Sequence, residues 1–439
     1  MSNKNQKSPA NEDTIIAIIT PPGEGGIAAV RLAGRRSLIF LNQHFRSATK
    51  DKSDLQPFLM RYGNFLNNSG EEIDEVLAVY MPRDRSYTGQ EQVEIFCHGG
   101  TVVVKKIQEI LVKAGARVAE PGEFTKTAFL SGRIDLSKAE AVAEIIEANT
   151  QKSYDVARQH LIGSYSKQIE KLRTGLIEII AEVEASIDFP EEEINPEENQ
   201  KLVGRLEEIA GSIENLIESY VGGRIIHEGF KIAIAGRTNA GKSSLFNLLL
   251  EQERALVTPT PGTTRDYLSE WIDLEGYAVN IIDTAGLRSG GGAIEKAGQS
   301  SAKKIMEEAD LIVWMVDLAQ KKWVDSLAED INNGMRPKAL VLGNKIDKVK
   351  ISKETESAMK VNCIMPVSCI TNQGIENFKS RLVNKITESM PDLTSGVVVT
   401  SARHKQKLES SLAEINQAKS KLSQKHSPEL TALDLRQAA

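Results

Sequence analysis

A short glycine-containing stretch, GRTNAGKSS at Gly236–Ser244, fits a pattern that binds phosphate groups. The pattern G-x-x-x-x-G-K-[ST] has Gly236, Gly241, Lys242 and Ser243 at its fixed positions. Backbone N–H groups of such a turn, with the positive end of the next helix, bind an anion. The lysine adds a charge for the outer phosphates, and the serine hydroxyl can ligate Mg²⁺. Unless the match is due to chance, the stretch predicts a nucleoside triphosphate site.

The residues around this turn predict the strand and helix that the pattern requires. The apolar run Phe230–Ala235 predicts a buried strand, and Ser244–Leu250 predicts a helix. Further strands are predicted at Leu268–Leu274, Ala278–Ile282, Leu311–Val316, Ala339–Gly343 and Cys363–Val367. Because they alternate with helical patterns, they indicate a doubly wound α/β domain, with a hairpin at Glu275–Gly276.

Polar segments at three strand ends extend this chemistry. DTAG at Asp283–Gly286 offers a carboxylate for Mg²⁺ and a glycine N–H for a γ-phosphate. In GNKID, Asp347 can accept the N1–H and the 2-amino group of guanine, which adenine lacks, while Asn344 and Lys345 brace the base. VSC at Val367–Cys369 matches a base-cradling serine-alanine turn, with cysteine in the alanine place. Together the motifs predict a domain that binds GTP.

Hydrolysis needs further groups, and two loops offer them. In the polar loop Thr258–Asp266, Thr264 is predicted to complete the Mg²⁺ shell with Ser243. Leu287 follows DTAG where Ras-like enzymes have a water-orienting glutamine. Glu295, the first carboxylate after DTAG, either acts through water or merely begins the next helix as a first-turn acid.

The loop also provides a route to charge stabilisation without an arginine finger. The side-chain oxygen of Asn239 and backbone carbonyls of Thr258–Thr263 can hold a monovalent cation near the β- and γ-phosphates. The predicted GTP-binding residues are Asn239, Ala240, Gly241, Lys242, Ser243, Ser244, Thr258, Thr263, Thr264, Asp283, Thr284, Ala285, Gly286, Asn344, Lys345, Asp347, Ser368 and Cys369.

Composition limits the setting of this chemistry. A chain of 439 residues suggests about two to four domains, and its 41% hydrophobic content is typical of globular protein. The net charge of −6 gives no global basic field for nucleic acid, so an RNA partner needs a local patch or a second protein. The odd count of 3 cysteines argues against a disulfide framework and favours a reduced, cytoplasmic setting. No apolar run approaches a membrane span.

The residues before the nucleotide motifs divide into two further regions. Residues 1–130 alternate strand and helix patterns and predict a small α+β domain, in which neighbouring Cys97 and His98 are interpreted as inert because they face opposite sides of a strand. The stretches Ser137–Ile187 and Glu198–Tyr220 predict long helices, the second ended by Gly222–Gly223.

The long helices expose apolar faces that need a partner helix. The stretch Ser401–Lys425 supplies one, so the nucleotide domain is predicted to be inserted into a helical domain. The acidic segment Asp188–Asn199 is interpreted as a solvated loop, with metal binding as the alternative.

Taken together, these motifs resemble the MnmE (TrmE) family of tRNA-modifying GTPases. The resemblance rests first on TPPGEGGIAAVRLAG, SYTGQEQVEIFCHGG and PGEFTKTAFLSGRIDL, which precede the nucleotide domain. It rests also on the nucleotide motifs GRTNAGKSSLFN, GTTRD, DTAGLR and NKID. Era- and Der-like GTPases share only the nucleotide motifs. The alternative function is therefore a regulatory switch in ribosome assembly without modification chemistry.

The resemblance implies a Ras-like P-loop GTPase domain at 226–388, inserted into an all-α domain at 131–225 and 389–439. An α+β domain at 1–130 precedes them, dimerises, and binds a 5-formyl or methylene tetrahydrofolate through Arg31, Glu94 and Arg133. The implied ligands are Ser243 and Thr264 for Mg²⁺, and Asn239, Thr258, Thr260 and Thr263 for an activating K⁺. The implied catalytic residues are Glu295, Lys242 and Thr264.

The resemblance also implies partners. The family acts in the cytoplasm with the flavoprotein MnmG to form 5-carboxymethylaminomethyl or aminomethyl uridine at the tRNA wobble position. Its chains usually end in a cysteine-containing C-I-G-K tail, whereas this sequence stops at TALDLRQAA. We therefore expect GTP hydrolysis to be independent of the tail, and the modification chemistry to depend on it.

Overall fold

The computed structural model describes residues 13–48, 55–188, 196–256, 268–284, 303–332, 339–350, 352–390, 396–424 and 428–439. The chain forms two compact units that divide after Val142. Among the helices that the structure describes, none is both long and apolar enough to cross a membrane.

The first unit is a seven-stranded sheet covered by helices. Its strands are β1 (Ile15–Ile18), β2 (Gly25–Ala33), β3 (Phe45–Ser47), β4 (Arg61–Leu66), β5 (Glu72–Met81), β6 (Gln92–Gly99) and β7 (Arg117–Val118). Their order is β3-β4-β5-β6-β2-β1-β7, and all neighbours are antiparallel except β1 and β7. Its helices are α1 (Ser37–His44), α2 (Thr101–Lys113) and α3 (Glu123–Leu130). The α+β class is as predicted.

Cys97 and His98 lie on opposite faces of β6, as expected for adjacent strand residues. Cys97 is buried, and this burial raises the pKa of its thiol to about 11. His98 is exposed, with Nδ1 2.6 Å from Asp74 Oδ1, and this carboxylate raises the pKa of the imidazole. The predicted opposite orientation of the two side chains is confirmed, and a neutral, buried thiol is a poor nucleophile, in agreement with the inert interpretation.

Four helices lead from the first sheet to the second. They are α4 (Leu136–Glu147), α5 (Gln151–Leu161), α6 (Ser164–Asp188) and α7 (Pro196–Glu228). Helix α7 then passes directly into the second sheet, whose first strand begins at Phe230.

The second sheet also has seven strands. They are β8 (Phe230–Gly236), β9 (Arg254–Ala255), β10 (Leu268–Leu274), β11 (Tyr277–Asp283), β12 (Leu311–Asp317), β13 (Ala339–Asn344) and β14 (Met365–Pro366). Their order is β14-β13-β12-β8-β11-β10-β9, with β8 and β11 to β14 parallel. The predicted strands and the hairpin between β10 and β11 are confirmed, although the last strand is shorter than predicted.

Helices cover this sheet and then complete the helical core. Those of the sheet are α8 (Lys242–Gln252), α9 (Trp323–Asn332), α10 (Lys353–Val361) and α11 (Ile375–Glu388). The chain returns as α12 (Ala402–Ser423) and α13 (Pro428–Ala438). These pack with α6 and α7 around a core that includes Leu176, Ile179, Leu206, Ile213, Ile415 and Leu435. The inserted arrangement is therefore confirmed, whereas the predicted boundaries at 130, 225 and 388 stay predictions.

The prediction that Gly222–Gly223 ends a helix was wrong, because α7 continues through both glycines to Glu228. The reason is a close approach of the returning chain. A Cβ on Gly223 would collide with the carbonyl oxygen of Val399. One turn earlier, Ser219 Oγ accepts a hydrogen bond of 3.0 Å from Val399 N. Tertiary contact, rather than a helix end, thus explains glycine here.

A buried polar group holds the other side of the returning segment. His160 Nε2 lies 2.7 Å from the Val398 carbonyl oxygen, and Nδ1 lies 2.8 Å from Glu144 Oε2. Thr400 Oγ1 donates to Glu144 Oε1 at 2.7 Å. Burial alone would raise the pKa of Glu144, but the hydrogen bonds from His160 and Thr400 outweigh it and hold the pKa below its usual value. The returning segment is therefore bound from two sides.

We predict that Gly223→Ala lowers the free energy of unfolding by about 2 kcal/mol, because the new methyl group displaces the Val399 backbone. The matched control is Gly211→Ala in the same helix, where nothing lies within 4 Å of the added methyl group. That change should stabilise the chain by about 0.5 to 1 kcal/mol, since alanine favours a helix interior. Urea unfolding measures both, and equal shifts for the two variants would contradict the packing explanation.

Candidate functional site

The turn between β8 and α8 has the backbone of an anion-binding loop. Gly236, Asn239 and Gly241 have φ angles of 138°, 61° and 102°. A Cβ on Gly236 would collide with the Met315 carbonyl oxygen, and one on Gly241 with the Asn344 amide nitrogen. Only glycine therefore fits at these two places, and the turn ends at the N-terminus of α8, where a helix attracts negative charge.

Lys242, the motif lysine, is buried at the base of the turn. Its Nζ donates to the carbonyl oxygen of Gly236 at 3.1 Å and to that of Arg237 at 2.9 Å. Both acceptors are backbone atoms of the turn itself, so the loop holds the ammonium group next to its own N–H groups. This arrangement places a fixed positive charge where a phosphate would bind.

Two residues from the end of β13 bind the other carbonyl groups of the turn. Asn344 Nδ2 donates to Ala240 O at 2.9 Å, and Lys345 Nζ donates to Asn239 O at 2.8 Å. We predicted that Asn344 and Lys345 brace the base. The structure shows that they brace the phosphate-binding turn. The two motifs, separated by about a hundred residues in the chain, are one hydrogen-bonded unit.

Ser243 and Asp283 meet beside the turn. Ser243 Oγ donates to Asp283 Oδ2 at 2.8 Å, and Asp283 is buried at the end of β11. A hydroxyl and a carboxylate together are the oxygen donors that Mg²⁺ prefers, so this pair fits the ion. The hydroxyl group of neighbouring Thr284 makes a different contact. Its Oγ1 donates to the Ile234 carbonyl oxygen at 2.8 Å and so links the end of β11 to β8.

The turn after β14 completes the site on the guanine side. Asn344 Oδ1 accepts from Cys369 N at 3.2 Å, and Ser368 is fully buried. Burial raises the pKa of the Cys369 thiol to about 11, and the carboxylate of Asp347 adds to this effect. Cys369 is therefore a neutral residue beside Asp347, which itself is exposed and able to accept from a base.

Asp317 is a residue of this site that the sequence analysis missed. Its Oδ2 accepts from Lys345 Nζ at 2.7 Å, and its side chain is 9% exposed. It lies at the carboxyl end of the apolar strand β12, which is the same signal that pointed to Asp283. The carboxylate holds Lys345 against the phosphate-binding turn.

Several predicted site residues lie outside the described part of the chain. These are Thr258, Thr260, Thr263, Thr264, Ala285, Gly286, Leu287 and Glu295. The acidic loop at 189–195 also lies outside it. The remaining predicted GTP-binding residues are brought together at the carboxyl ends of β8, β11, β13 and β14.

In the first unit, Arg31 and Glu94 form a polar centre between β2 and β6. Arg31 Nε donates to Glu94 Oε1 at 2.8 Å, and its guanidinium lies 5.6 Å from the Tyr87 ring centroid and 5.5 Å from that of Phe124. Arg133 Nη1 donates to the Asp84 carbonyl oxygen at 3.2 Å. The loop that joins β5 and β6 therefore contacts both arginines.

One buried atom near this centre lacks a partner among the described residues. Gln92 Nε2 donates to Glu94 Oε1 at 3.1 Å, while Gln92 Oε1 is buried without a hydrogen bond. Buried polar atoms are normally paired, so an unpaired acceptor beside a charged pair fits a ligand-binding site.

Two family models together match nearly the whole chain. A family model described as the MnmE helical domain matches residues 136–439, and one described as the GTP-binding protein TrmE N-terminus matches residues 14–133. The chain belongs to the MnmE family. The tRNA modification GTPase MnmE of Clostridioides difficile is 41% identical over 401 residues, which cover 90% of this chain and 87% of that protein. The corresponding MnmE of Natranaerobius thermophilus is 39% identical over 433 residues, covering 97% and 93%.

Membership in the MnmE family makes the chain a GTP hydrolase, as the motifs predicted. Among solved structures, the G domain of the FeoB iron transporter of T. maritima is 28% identical, and it matches 36% of this chain and 98% of its own length. Its TM-score of 0.27 is too low to support any argument about this chain.

Proposed function

We propose that this MnmE-family chain hydrolyses GTP to drive modification of the tRNA wobble uridine. In this proposal it acts with the flavoprotein MnmG to install a carboxymethylaminomethyl or aminomethyl group at carbon 5. Its family membership supports the tRNA-modifying role. The observation that carries the nucleotide part is the hydrogen bond of 2.9 Å from Asn344 Nδ2 to Ala240 O, which joins the guanine side of the site to the phosphate side.

We assign a role to the residues on each side of the nucleotide. The N–H groups of the turn and Lys242 bind the phosphates, and Asp347 recognises guanine. Ser243, with Thr264 from outside the described residues, would ligate Mg²⁺, while Asp283 holds Ser243 in place. When bound, Mg²⁺ neutralises charge on the β- and γ-phosphates.

We propose that the activating cation is K⁺ and that it is bound by Asn239, Thr258, Thr260 and Thr263. Asn239 supports this assignment because it is exposed and its φ of 61° is unusual for a residue other than glycine. Lys345 fixes its carbonyl oxygen, so the orientation of Asn239 is set before any ligand binds. For hydrolysis we assign Glu295 to orient water, because Leu287 stands where Ras-like enzymes have glutamine.

We predict that replacing K⁺ by Na⁺ lowers single-turnover GTP hydrolysis at least about tenfold, since a cation near the phosphates stabilises developing charge. A second prediction concerns Glu295. In the same assay Glu295→Ala should lower the rate of GTP hydrolysis about a hundredfold, while the affinity for GTP is unchanged. The control is Asp325→Asn on the exposed surface of α9. Equal rates in the two salts would contradict the K⁺ site, and a normal rate for Glu295→Ala would contradict its catalytic role.

We further propose that the first unit binds a 5-formyl or methylene tetrahydrofolate through Arg31, Glu94 and Arg133, and that it forms the homodimer. Gln92 Oε1, which is buried with no hydrogen-bond partner among the described residues, and the aromatic rings beside Arg31 support the folate assignment. Exposed apolar side chains on this unit, among them Ile27 and Leu130, support a protein interface.

Folate binding separates this function from a ribosome-assembly switch. We predict that the full chain binds 5-formyltetrahydrofolate in a calorimetric titration, and that Arg31→Ala weakens the binding at least about tenfold, because a charged hydrogen-bond donor is lost. The matched control is Arg46→Ala, since Arg46 is exposed on the edge strand β3. A wild-type chain that binds GTP but no folate would favour the switch.

A further inference from the structure

Arg237 is the first residue after β8, and its backbone and side chain contact different parts of the domain. Its carbonyl oxygen accepts from Lys242 Nζ at 2.9 Å, so the position of this peptide determines where the ammonium group lies. Its side chain extends to α9 rather than along the phosphate-binding turn. Arg237 therefore connects helix α9 to the lysine that binds phosphate.

Three acceptors on α9 bind the guanidinium. Arg237 Nε donates to Asp330 Oδ1 at 3.0 Å, and Nη2 donates to the Ser326 carbonyl oxygen at 3.1 Å and to Glu329 Oε2 at 2.7 Å. Asp330 is also bound from the sheet, because Trp314 Nε1 donates to its Oδ2 at 3.2 Å. Asp330 thus joins the turn, α9 and β12.

The two carboxylates differ in their surroundings, and this decides which one matters. The side chain of Asp330 is 13% exposed, whereas that of Glu329 is 65% exposed. Exposed ion pairs contribute little, and a charge-assisted hydrogen bond is stronger where one partner, here Asp330, is largely shielded from water. Asp330 therefore fixes Arg237, and Glu329 is a peripheral contact.

The space between these groups is small. A cavity of about 10 Å³ lies among Arg237, Asp330 and Trp323, which is about the volume that one water needs. The Arg237 side chain is 42% exposed, so its three hydrogen bonds to α9, rather than close packing, direct the guanidinium away from the turn. Its charge is also balanced by two carboxylates. Arg237 is therefore suited to hold the turn and not to contact the nucleotide.

We propose that Arg237 is a positioning residue, and that Asp330 and Trp314 act through it to fix Lys242 and so set how long the nucleotide stays bound. The inference rests on the proposed binding of guanine nucleotide at this turn. It adds α9 to the site, because α9 supplies the acceptors that hold the turn opposite to the side braced by Asn344 and Lys345.

We predict that Asp330→Asn and Arg237→Gln each raise the dissociation rate of a fluorescent GDP analogue about tenfold, as expected when a hydrogen-bonded charge pair is lost. Glu329→Gln, on the same helix and in contact with the same guanidinium, should change the rate less than about twofold.

Two further variants separate positioning from simple stability. In the double variant Arg237→Gln/Asp330→Asn, the dissociation rate should equal that of either single variant, because the two residues act as one unit. Arg237→Lys, which keeps the positive charge and one donor nitrogen, should restore part of the slow dissociation. Urea unfolding is measured in parallel for every variant.

Each other outcome counts against the proposal. A wild-type dissociation rate in Asp330→Asn would overturn it, as would a loss of stability without faster dissociation, or rate changes that add fully in the double variant. A wild-type chain that binds no GDP would refute the proposed nucleotide site itself. That result differs from failure of the α9 contact, for which GDP still binds normally.

Discussion

An anion-binding turn can point its N–H groups outward only if its carbonyl oxygens point inward, and buried carbonyl oxygens need donors. In this chain the donors are Lys242 for Gly236 and Arg237, Lys345 for Asn239, and Asn344 for Ala240. The rest of the second sheet depends on this requirement, because Lys242 comes from α8 and the other two come from the end of β13. The parallel order of β8, β12 and β13 brings these ends together.

The same residues explain how phosphate binding and base recognition are linked. Asn344 binds Ala240 in the turn and Cys369 N in the base-cradling segment. Lys345 is held by Asp317 from β12 while it binds Asn239. A displacement of any one strand end therefore disturbs both parts of the site. The nucleotide domain is connected to the helical core where its chain enters and where it leaves. It enters through α7, and it leaves through the returning segment, which His160 and Ser219 bind at Val398 and Val399.

The sequence was sufficient to predict the elements that follow a local pattern. Apolar runs ended by polar motifs predicted the strands of the second sheet, and the fixed spacing of Gly236, Gly241 and Lys242 predicted the turn. Local pattern failed where a tertiary contact decides the structure. Gly223 looks like a helix end, but it lies within α7 because Val399 packs against it.

Long-range pairs were also beyond prediction from the sequence. Arg237 and Asp330 are separated by 93 positions, and Asn344 and Ala240 by 104. Nothing in either segment alone specifies its partner, since arginine, aspartate and asparagine are common at many positions in a chain. Asp317 could have been found, because it ends an apolar strand as Asp283 does. The short strands β3 and β4 and helix α1 lack the periodicity that indicates such elements.

The central claim is that the strand ends form one site selective for guanine nucleotides, and competitive displacement of a fluorescent GDP analogue from the full chain tests it most directly. In the presence of Mg²⁺, unlabelled GTP should displace the analogue, whereas ATP at a thousandfold higher concentration should not, because adenine offers Asp347 no matching donors. Displacement by ATP and GTP at similar concentrations would contradict the account.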